Sequence, residues 1–355
     1  MKRRVIGALL LTLLCGMFAG CGNSDSQTVE KEADSTKAAQ VEEESTPEVK
    51  EYGVAWFCEV LNESNKLYTD SWKENLQKMD EEDDSFVFTN IDVFDANGST
   101  ETQISQIETA IASGKYDTFV INPNDTEGLV PAYEEAINAG IKVVDIGGIN
   151  SDAKTVYCIG LDEDAQGMKM RDYIQSYLDA NPDVVLNMCL LEGKPETTRC
   201  LPRLKYIREM AEQNPDRINL LAEAWGQWSA DEATRITEDW LQAYPDLNII
   251  CCADDTMAMG VVNTVISAEK NGDILITGSN GDEGVLDFIR NGDMLATTGN
   301  YLGMMAKQYA EVTRDVTLGN WNSSVTVYSM GDAVIELVDA SNVDDFAANK
   351  YTKTE

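Results

Sequence analysis

The chain has 355 residues and contains no histidine, which excludes several classes of chemistry. Without an imidazole there is no Ser-His-Asp triad, no Cys-His nucleophile pair and no histidine-ligated zinc. Basic residues are also scarce, because 27 Lys and Arg stand against 62 Asp and Glu, a net charge of -35 at pH 7. A field this negative repels phosphate backbones, and no basic stripe offsets it, so we expect no nucleic-acid partner.

Sequence signatures of nucleotide and metal sites are missing as well. The chain has no G-x-x-x-x-G-K-[ST] motif and therefore no P-loop. The glycines of segment 278–284 have the wrong spacing for a dinucleotide fingerprint, and they predict a turn between a strand and a helix. No cysteine pair has C-x-x-C spacing and no calcium loop is present, so we expect neither a cofactor nor a metal.

The N-terminal segment has the pattern of an export signal. Lys2, Arg3 and Arg4 precede an apolar run over 5–18, which is shorter than the ~20 residues that a membrane-spanning helix needs. Residues 18–21, Phe-Ala-Gly-Cys, resemble the bacterial lipoprotein box, which implies that residues 1–20 are removed as a signal peptide and that Cys21 is acylated. We therefore expect an exported protein, anchored by lipid to the outer face of the bacterial cytoplasmic membrane or lying in the periplasm.

Residues 21–51 predict a tether between this anchor and a folded body. The segment is rich in Ser, Thr, Glu and Ala and has no aromatic residue over 22–50, so it cannot bury enough apolar area to offset the entropy of ordering. We expect it to be acidic and disordered. Six cysteines follow it: Cys58, Cys158, Cys189, Cys200, Cys251 and Cys252. Several lie in apolar runs, which favours buried thiols, although disulfides stay open in an exported protein.

From Tyr52 onward, short apolar runs alternate with segments of helical period. The runs predict strands over 52–57, 86–93, 118–122, 142–146, 184–191, 218–222, 249–252 and 274–278. Ser99 and Gly114 have the residue types of the two caps of one helix, and a second helix from Asp255 has Met259, Val262 and Ile266 on one stripe. This alternation predicts an α/β fold with parallel sheets covered on both faces, and the length predicts two lobes.

Several segments stand in an order typical of one family. They are Ile121-Asn-Pro-Asn-Asp125, Ala139-Gly-Ile-Lys-Val-Val144, Trp240-Leu-Gln-Ala-Tyr-Pro-Asp246, Cys252-Ala-Asp-Asp-Thr-Met-Ala-Met-Gly260 and Gly292-Asp-Met-Leu-Ala-Thr-Thr298. With them the chain, from about Tyr52 to Phe346, resembles the extracellular sugar-binding proteins of ABC importers, in the ribose and galactose/glucose group. This resemblance implies two similar Rossmann-like lobes of the periplasmic binding protein type 1 fold, joined by three crossings near Leu161, Asn300 and Tyr328. The lobes would comprise 52–161 with 301–328, and 162–300 with 329–355.

The resemblance also implies a set of ligand-binding residues in the second lobe. Trp228 corresponds to a stacking aromatic, Asp254 to a position where the family commonly has Asn, and Asn280 to one where it commonly has Asp. Asn300 corresponds to an amide beside a crossing, and Arg203 to an arginine whose fork serves a ring oxygen and a hydroxyl. Arg199 lies nearby without a family counterpart. The alternatives are a core indole for Trp228, turn capping for the amides and Asp254, and surface ion pairs for the arginines.

In the first lobe the resemblance implies contacts from Asn65 and Tyr68, in a loop after the first strand that is longer than usual. The family commonly places a polar pair after the strand over 142–146, and this chain has Gly147-Gly148 there. Asp145 is a candidate replacement. Because two glycines also leave room, we expect a ligand that is larger than ribose or galactose, or differently decorated.

These features predict a protein that captures a sugar or polyol between two lobes and delivers it to an ABC permease, without catalysis. One alternative is a ligand-sensing module for a membrane receptor or histidine kinase. Another is a secreted glycosidase that uses the Asp254-Asp255 carboxylates, although adjacent side chains usually point apart and an N-cap role is commoner.

Overall fold

The structure is a computed structural model and describes residues 49–61, 63–146, 157–195, 200–321 and 327–353. The predicted signal peptide, the predicted acylation site Cys21 and nearly all of the predicted tether lie outside the described residues. So do Gly147-Gly148 and Arg199.

Strands and helices alternate along the chain, as the periodicity predicts. The strands are β1 (Lys50–Cys58), β2 (Phe86–Asp95), β3 (Thr118–Ile121), β4 (Lys142–Ile146), β5 (Tyr157–Gly160), β6 (Leu186–Glu192), β7 (Ile218–Trp225), β8 (Ile249–Cys252), β9 (Leu275–Asn280), β10 (Ala296–Asn300), β11 (Val327–Ser329) and β12 (Ile335–Asp339). The helices are α1 (Glu63–Glu82), α2 (Thr100–Ser113), α3 (Val130–Asn138), α4 (Glu163–Ala180), α5 (Pro202–Gln213), α6 (Ala230–Ala243), α7 (Asp255–Ser267), α8 (Glu283–Asn291), α9 (Leu302–Leu318) and α10 (Val343–Asn349), with a 3-10 turn at Asp332–Val334.

The strands form two sheets with the same internal order. Sheet A has the order β2-β1-β3-β4-β5-β11, and sheet B has the order β7-β6-β8-β9-β10-β12. Every pair in sheet A is parallel, and in sheet B only β12 is antiparallel to its neighbour β10 among the described strands. The predicted α/β class with parallel sheets is therefore confirmed. We call sheet A with its helices the N-terminal lobe and sheet B with its helices the C-terminal lobe.

The chain passes between the sheets at three places in the described residues. It leaves sheet A after β5 through Leu161 and enters α4, which packs on β10 and β12 of sheet B. It returns after β10 through Tyr301 into α9, which packs on α1, β3 and β4. It crosses again after β11 through Met330 towards β12. Each sheet is thus built from noncontiguous segments.

Local signals place several helix ends correctly and one helix face only in part. The Ser99 side chain accepts a hydrogen bond from the Thr102 N–H at the start of α2, and Gly114 ends this helix at a positive φ of 63°. The predicted stripe on α7 is confirmed at Val262, which is buried, and at Met259, which is half-buried against the core, but it is wrong at Ile266, which is exposed, whereas Val261 and Val265 are buried. Spacings of three and four describe two adjacent helix faces, and α7, hydrophobic on most sides, gives little contrast between them. None of the helices within the described ranges is long and apolar enough to cross a bilayer.

Candidate functional site

The strand order of sheet B defines where a ligand site is expected. Because β7 and β8 lie on opposite sides of β6, the connections that follow β6 and β8 diverge there and leave a crevice at the carboxyl ends of these strands. The loops at this end contain Trp228, Asp254, Asn280 and Asn300, each at or just after the end of a different strand among β7, β8, β9 and β10. The structure thus brings four sequence-predicted residues to one edge of one sheet.

The Trp228 ring packs against the backbone of Gly193, which has no side chain. Gln227 and Trp228 both have positive φ values, 58° and 55°, in the turn between β7 and α6. This turn is held by the Gly226 N–H and the Gln227 N–H, which donate to the carbonyls of Glu192 and Gly193 at 2.7 and 3.0 Å. A Cβ at Gly193 would lie 1.9 Å from the Trp228 six-membered ring, so only glycine fits beneath the indole. The ring is half-buried rather than enclosed in the core.

Arg203 is buried and already strongly bonded. Its Nε and Nη2 donate to the two carboxylate oxygens of Glu163 at 2.6 and 3.1 Å, and its Nη1 donates to the Ala253 carbonyl at 3.0 Å. Glu163 is the first residue of α4, just after the crossing at Leu161. The surface ion pair considered for Arg203 is therefore replaced by a buried, bidentate pair that joins α4, α5 and the end of β8. The charge of the guanidinium is balanced within the protein.

Asp254 is the N-cap of α7. Its Oδ1 accepts the Met257 N–H at 2.9 Å, which is the capping role weighed from the sequence. Burial raises the pKa of the Asp254 carboxyl from 3.8 to about 6, although the Met257 N–H and the Arg203 charge act in the opposite direction. The second oxygen of the carboxylate has acceptor capacity beyond the cap.

The adjacent Asp255 points away from Asp254 into the sheet. Its carboxylate accepts the Thr297 hydroxyl at 2.8 Å and the Asp282 N–H at 2.8 Å. Burial and the neighbouring Asp282 raise the pKa of Asp255 well above its ordinary value. The two acids therefore have separate hydrogen-bonding roles, Asp254 at the start of α7 and Asp255 between Thr297 and Asp282.

Asn280 and Asn300 end the adjacent strands β9 and β10. Asn280 has a φ of 113°, which a residue other than glycine rarely adopts. Asn300 is 4% exposed, and its Oδ1 has no hydrogen-bond partner among the described residues. A buried amide oxygen without a partner costs free energy, so its presence at a strand end indicates a place for a hydrogen-bond donor from outside the fold.

Buried hydroxyl and amide groups connect this edge to α4. The Thr298 hydroxyl lies 3.1 Å from both the Gln166 Oε1 and the Ser279 Oγ. Gln166 in turn donates to Glu163 at 3.3 Å. The ends of β9 and β10 are thereby tied to the same carboxylate that holds Arg203.

In the N-terminal lobe, Asn65 and Tyr68 lie in helix α1, not in the expected loop. The Asn65 amide donates to the Val60 carbonyl at 2.6 Å and is buried. The half-buried Tyr68 ring packs near Trp56 and Tyr309, with centroids 6.4 and 6.5 Å away. The prediction of a long loop is corrected because helix α1 begins at Glu63, a few residues after β1.

Asp145 lies in β4, as predicted, with its side chain inside the N-terminal lobe. The residue is fully buried, and its Oδ2 accepts the Tyr133 hydroxyl of α3 at 3.0 Å. Alternation along β4 places it on the same face as Val143, which belongs to the cluster packed under α2 and α3. The carboxylate lies in the layer between sheet A and these helices, and a role of Asp145 in ligand binding stays a prediction.

All six cysteines beyond the tether are buried, and no disulfide is present in the part of the chain that the structure describes. Burial raises the pKa of the Cys58, Cys189 and Cys251 thiols to about 12. These side chains are therefore protonated and unreactive at neutral pH. Within the same residues no cluster of His, Cys, Asp or Glu is arranged to hold a metal ion.

Sequence reasoning missed Glu163, Gly193 and Lys350. Glu163 lies two residues after the predicted crossing at Leu161, and this position is the only local feature of the sequence that could have indicated a role for it. Gly193 directly follows β6 at the crevice, where bare backbone often approaches another group. Lys350 is distant in sequence from the rest of the site, and its contact is described below.

The structure has two α/β lobes of the same strand order, joined by three crossings. Polar side chains and an indole lie at the strand ends. This combination defines a two-lobed solute-binding protein. A family model described as a periplasmic binding protein domain matches residues 60–320. The chain therefore belongs to the periplasmic binding protein family.

Curated relatives and solved structures agree with this assignment. The D-ribose/D-allose-binding protein of Pseudomonas aeruginosa is 26% identical over 213 residues, which cover 58% of this chain and 65% of that protein. The ribose import binding protein of Bacillus subtilis is 25% identical over 227 residues, 64% of this chain and 71% of that protein. The fold is similar to that of a Bacillus halodurans ABC transporter solute binding protein with bound myo-inositol, at a TM-score of 0.71, 18% identity and coverage of 86% of this chain and 100% of that one.

Proposed function

We propose that this protein captures an uncharged sugar or polyol between its lobes and delivers it unchanged to an ABC permease. The observation that carries the proposal is the buried Asn300 Oδ1, which has no hydrogen-bond partner among the described residues. Asn300 ends β10 beside Asn280 at the end of β9, and Asp254 follows β8, the next strand of the sheet. An amide and a carboxylate oxygen are acceptors for hydroxyl donors. Half-buried Trp228 adds an aromatic face suited to the C–H face of a sugar ring.

The charge balance of the site favours an uncharged ligand. Arg203 directs three donors to Glu163 and to the Ala253 carbonyl, so its charge is already matched. Asp254 adds a nearby carboxylate, which repels an anionic ligand. A uronic or aldonic acid would therefore be disfavoured against the corresponding neutral sugar.

Named ligands of relatives agree with this chemical class. Related proteins are named for D-ribose, D-allose and D-xylose, and similar folds were solved with myo-inositol and D-allose. Each is a neutral ring or chain rich in hydroxyls. Because Gly147-Gly148 stand where the family has a polar pair, we propose a ligand that is bulkier than plain ribose or galactose, or differently decorated.

Binding would close the lobes 52–161 with 301–328 and 162–300 with 329–355 on the ligand. Closure is stabilised by contacts that exist only when both lobes touch the same molecule, and the closed form is the one that a permease distinguishes. No covalent step is needed. We further propose that Cys21 is acylated after export and that the tether over 21–51 holds the body near the permease.

A thermal-shift screen of the protein from Val49 onward, which keeps all of β1, tests the ligand class. The panel contains D-ribose, D-allose, D-xylose, myo-inositol, disaccharides and nucleosides, with D-glucuronate and D-glucosamine as charged controls. We expect a neutral compound to raise the melting temperature, since a molecule bound only by the native state stabilises it. Isothermal titration and recovery of unchanged compound follow. Preference for a charged control, or chemical turnover of the bound compound, contradicts the proposal.

A further inference from the structure

Lys350 is a buried lysine whose side chain reaches the candidate site from the C-terminal helix. It follows α10 directly and is 1% exposed, which is uncommon for lysine unless the ammonium is well paired. Its Nζ donates to the Gly281 carbonyl at 2.7 Å. Gly281 lies between Asn280, a predicted ligand residue, and Asp282.

The backbone that Lys350 contacts is strained. Asn280 and Gly281 have φ values of 113° and 70°, and a residue other than glycine in this region persists only where its surroundings hold it. Two other contacts assist: the Asp282 N–H donates to Asp255 at 2.8 Å, and the Phe346 ring lies so close to Gly281 that an added Cβ would be 2.7 Å from it. Lys350 supplies the only charged donor among these contacts.

The same residue also contacts a crossing between the lobes. The Lys350 carbonyl accepts the Gly303 N–H at 3.2 Å, in the first turn of α9 after the crossing at Tyr301. Lys350 thus joins a loop at the candidate ligand site to a segment that must bend when the lobes move. Its ammonium also lies near Asp282. Burial raises the pKa of the Asp282 carboxyl, and the positive charge of Lys350 acts in the opposite direction.

We propose that Lys350 is a positioning residue, which fixes the 280–282 loop so that the Asn280 side chain is preorganised for the ligand without Lys350 touching it. The proposal rests on the proposed function for its effect on affinity. Its effect on the loop is independent of any ligand. The two parts are therefore measured separately.

The ligand-free measurement is hydrogen–deuterium exchange of the peptide that covers 279–283. We expect Lys350→Met to exchange faster in this peptide, and Lys350→Arg, which keeps a charged donor, to remain near wild type. Lys353→Met is the matched control. It removes a lysine from the same segment, one whose Nζ lies 3.9 Å from the Tyr301 ring rather than at the Gly281 carbonyl. Unchanged exchange in Lys350→Met overturns the proposal whatever the ligand is.

The ligand measurement is isothermal titration with whichever panel sugar or polyol gives wild type its largest thermal shift. We expect Lys350→Met to bind at least about tenfold more weakly, because a lost charged hydrogen bond is of this order, and Lys350→Arg to recover most of the loss. Ile289→Ala, a buried change in α8, controls for general destabilisation of the lobe. Wild-type affinity in Lys350→Met, or an equal loss in Ile289→Ala at matched stability, overturns the proposal.

Two outcomes separate this inference from the proposed function. If no panel compound binds wild type, the proposed function fails while the exchange experiment still decides the role of Lys350 in the loop. If Lys350→Met does not fold, Lys350→Gln replaces it in both measurements, because it keeps a polar end but loses the charge and part of the reach. Wild-type exchange and affinity in Lys350→Gln then overturn the proposal.

Discussion

The two lobes have the same strand order, yet the carboxyl ends of their sheets differ in what they gather. In sheet B, Trp228, Asp254, Asn280 and Asn300 follow the ends of four strands. In sheet A, Asp145 faces α3, and the other two predicted residues come from α1. The same strand order therefore places the predicted residues of sheet B at strand ends, but not the described predicted residues of sheet A.

The difference comes from how each side chain is placed. Residues directly at a strand end are positioned by the pairing of that strand with its neighbours, and Asn300 is fixed in this way by the pairing of β10 with β12. Asp145 is one residue before the end of β4, and strand alternation directs it with Val143 into the helix layer. A residue near a strand end thus contributes to a site only when its side of the sheet allows it.

Charge also distinguishes the two ends. The end of sheet B has two buried acids, Asp254 and Asp255, and the half-buried Asp282, with Arg203 and Lys350 as cations nearby. Buried charges are costly unless they are paired or needed for binding. We infer that the C-terminal lobe contributes the main specificity of ligand binding, and the following predictions test this asymmetry.

The largest expected effect is from Trp228→Ala. Loss of an aromatic plate against a sugar face is expected to weaken binding by ~1–3 kcal/mol while the fold is retained. Isothermal titration measures the affinity, and circular dichroism checks the fold. Trp225→Ala, an exposed indole at the end of the same strand, is the control and should change affinity little. Unchanged affinity in Trp228→Ala would assign this indole to packing alone.

Asp254→Asn is expected to raise the free energy of unfolding near neutral pH and to change how ligand affinity depends on pH. Burial raises the pKa of Asp254 from 3.8 to about 6, so the ionised form is disfavoured in the folded state. The stability that this raised pKa provides is present below pH ~4 and is lost as pH rises through about 6. Asparagine can still cap α7 but carries no charge. We therefore expect the variant to be more stable than wild type above pH ~7, by on the order of 1–3 kcal/mol, and nearly equal to it near pH 4.

The ligand affinity of wild type should rise with pH, which is the opposite of the trend expected for its stability. Below pH ~6 the wild-type carboxyl becomes protonated and loses acceptor capacity, so its affinity for a hydroxyl-rich ligand should fall, whereas the variant's should stay flat. Chemical denaturation and titration at pH 4.5, 6 and 7.5 measure both. Asp231→Asn, an exposed acid in the first turn of α6, is the control. Parallel pH profiles for wild type and Asp254→Asn would show that this carboxyl does not govern either property.

Glu163→Gln should shift the preference between neutral and acidic sugars. The change leaves Arg203 without its bidentate partner, and an unmatched guanidinium binds carboxylates. We expect the affinity for D-glucuronate relative to D-glucose to rise by about tenfold, the equivalent of one charged hydrogen bond. Glu232→Gln breaks a surface pair with Arg235 and controls for the lost charge. An unchanged ratio would separate Arg203 from ligand recognition.

The sequence predicted the fold well because its signals are local. Apolar runs identified β4 and β8 with their observed ends, and the cap chemistry of Ser99 and Asp254 located two helix starts. Strand β10 was missed because its Thr-Thr-Gly centre lacks an apolar run, although all of it is buried. The partners of the site residues were not predictable, since the pair of Glu163 with Arg203 joins positions 40 residues apart without a local pattern.

The smallest expected effect on ligand affinity is from Asp145→Ala in the N-terminal lobe. Its carboxylate accepts the buried Tyr133 hydroxyl, and burial together with this carboxylate raises the pKa of Tyr133 well above its ordinary value. Removing the acceptor should lower the free energy of unfolding by ~1–3 kcal/mol, because a buried donor loses its partner.

Affinity should stay within about twofold of wild type, since the carboxylate lies inside the lobe and stability losses away from a site leave binding unchanged. Asn300→Ala provides the contrast in sheet B, where we expect affinity to fall and stability to change little, because its Oδ1 has no hydrogen-bond partner within the described part of the chain. Denaturation and titration of both variants decide the matter: a loss of affinity in Asp145→Ala as large as that in Asn300→Ala would show that the two lobes contribute equally to ligand binding.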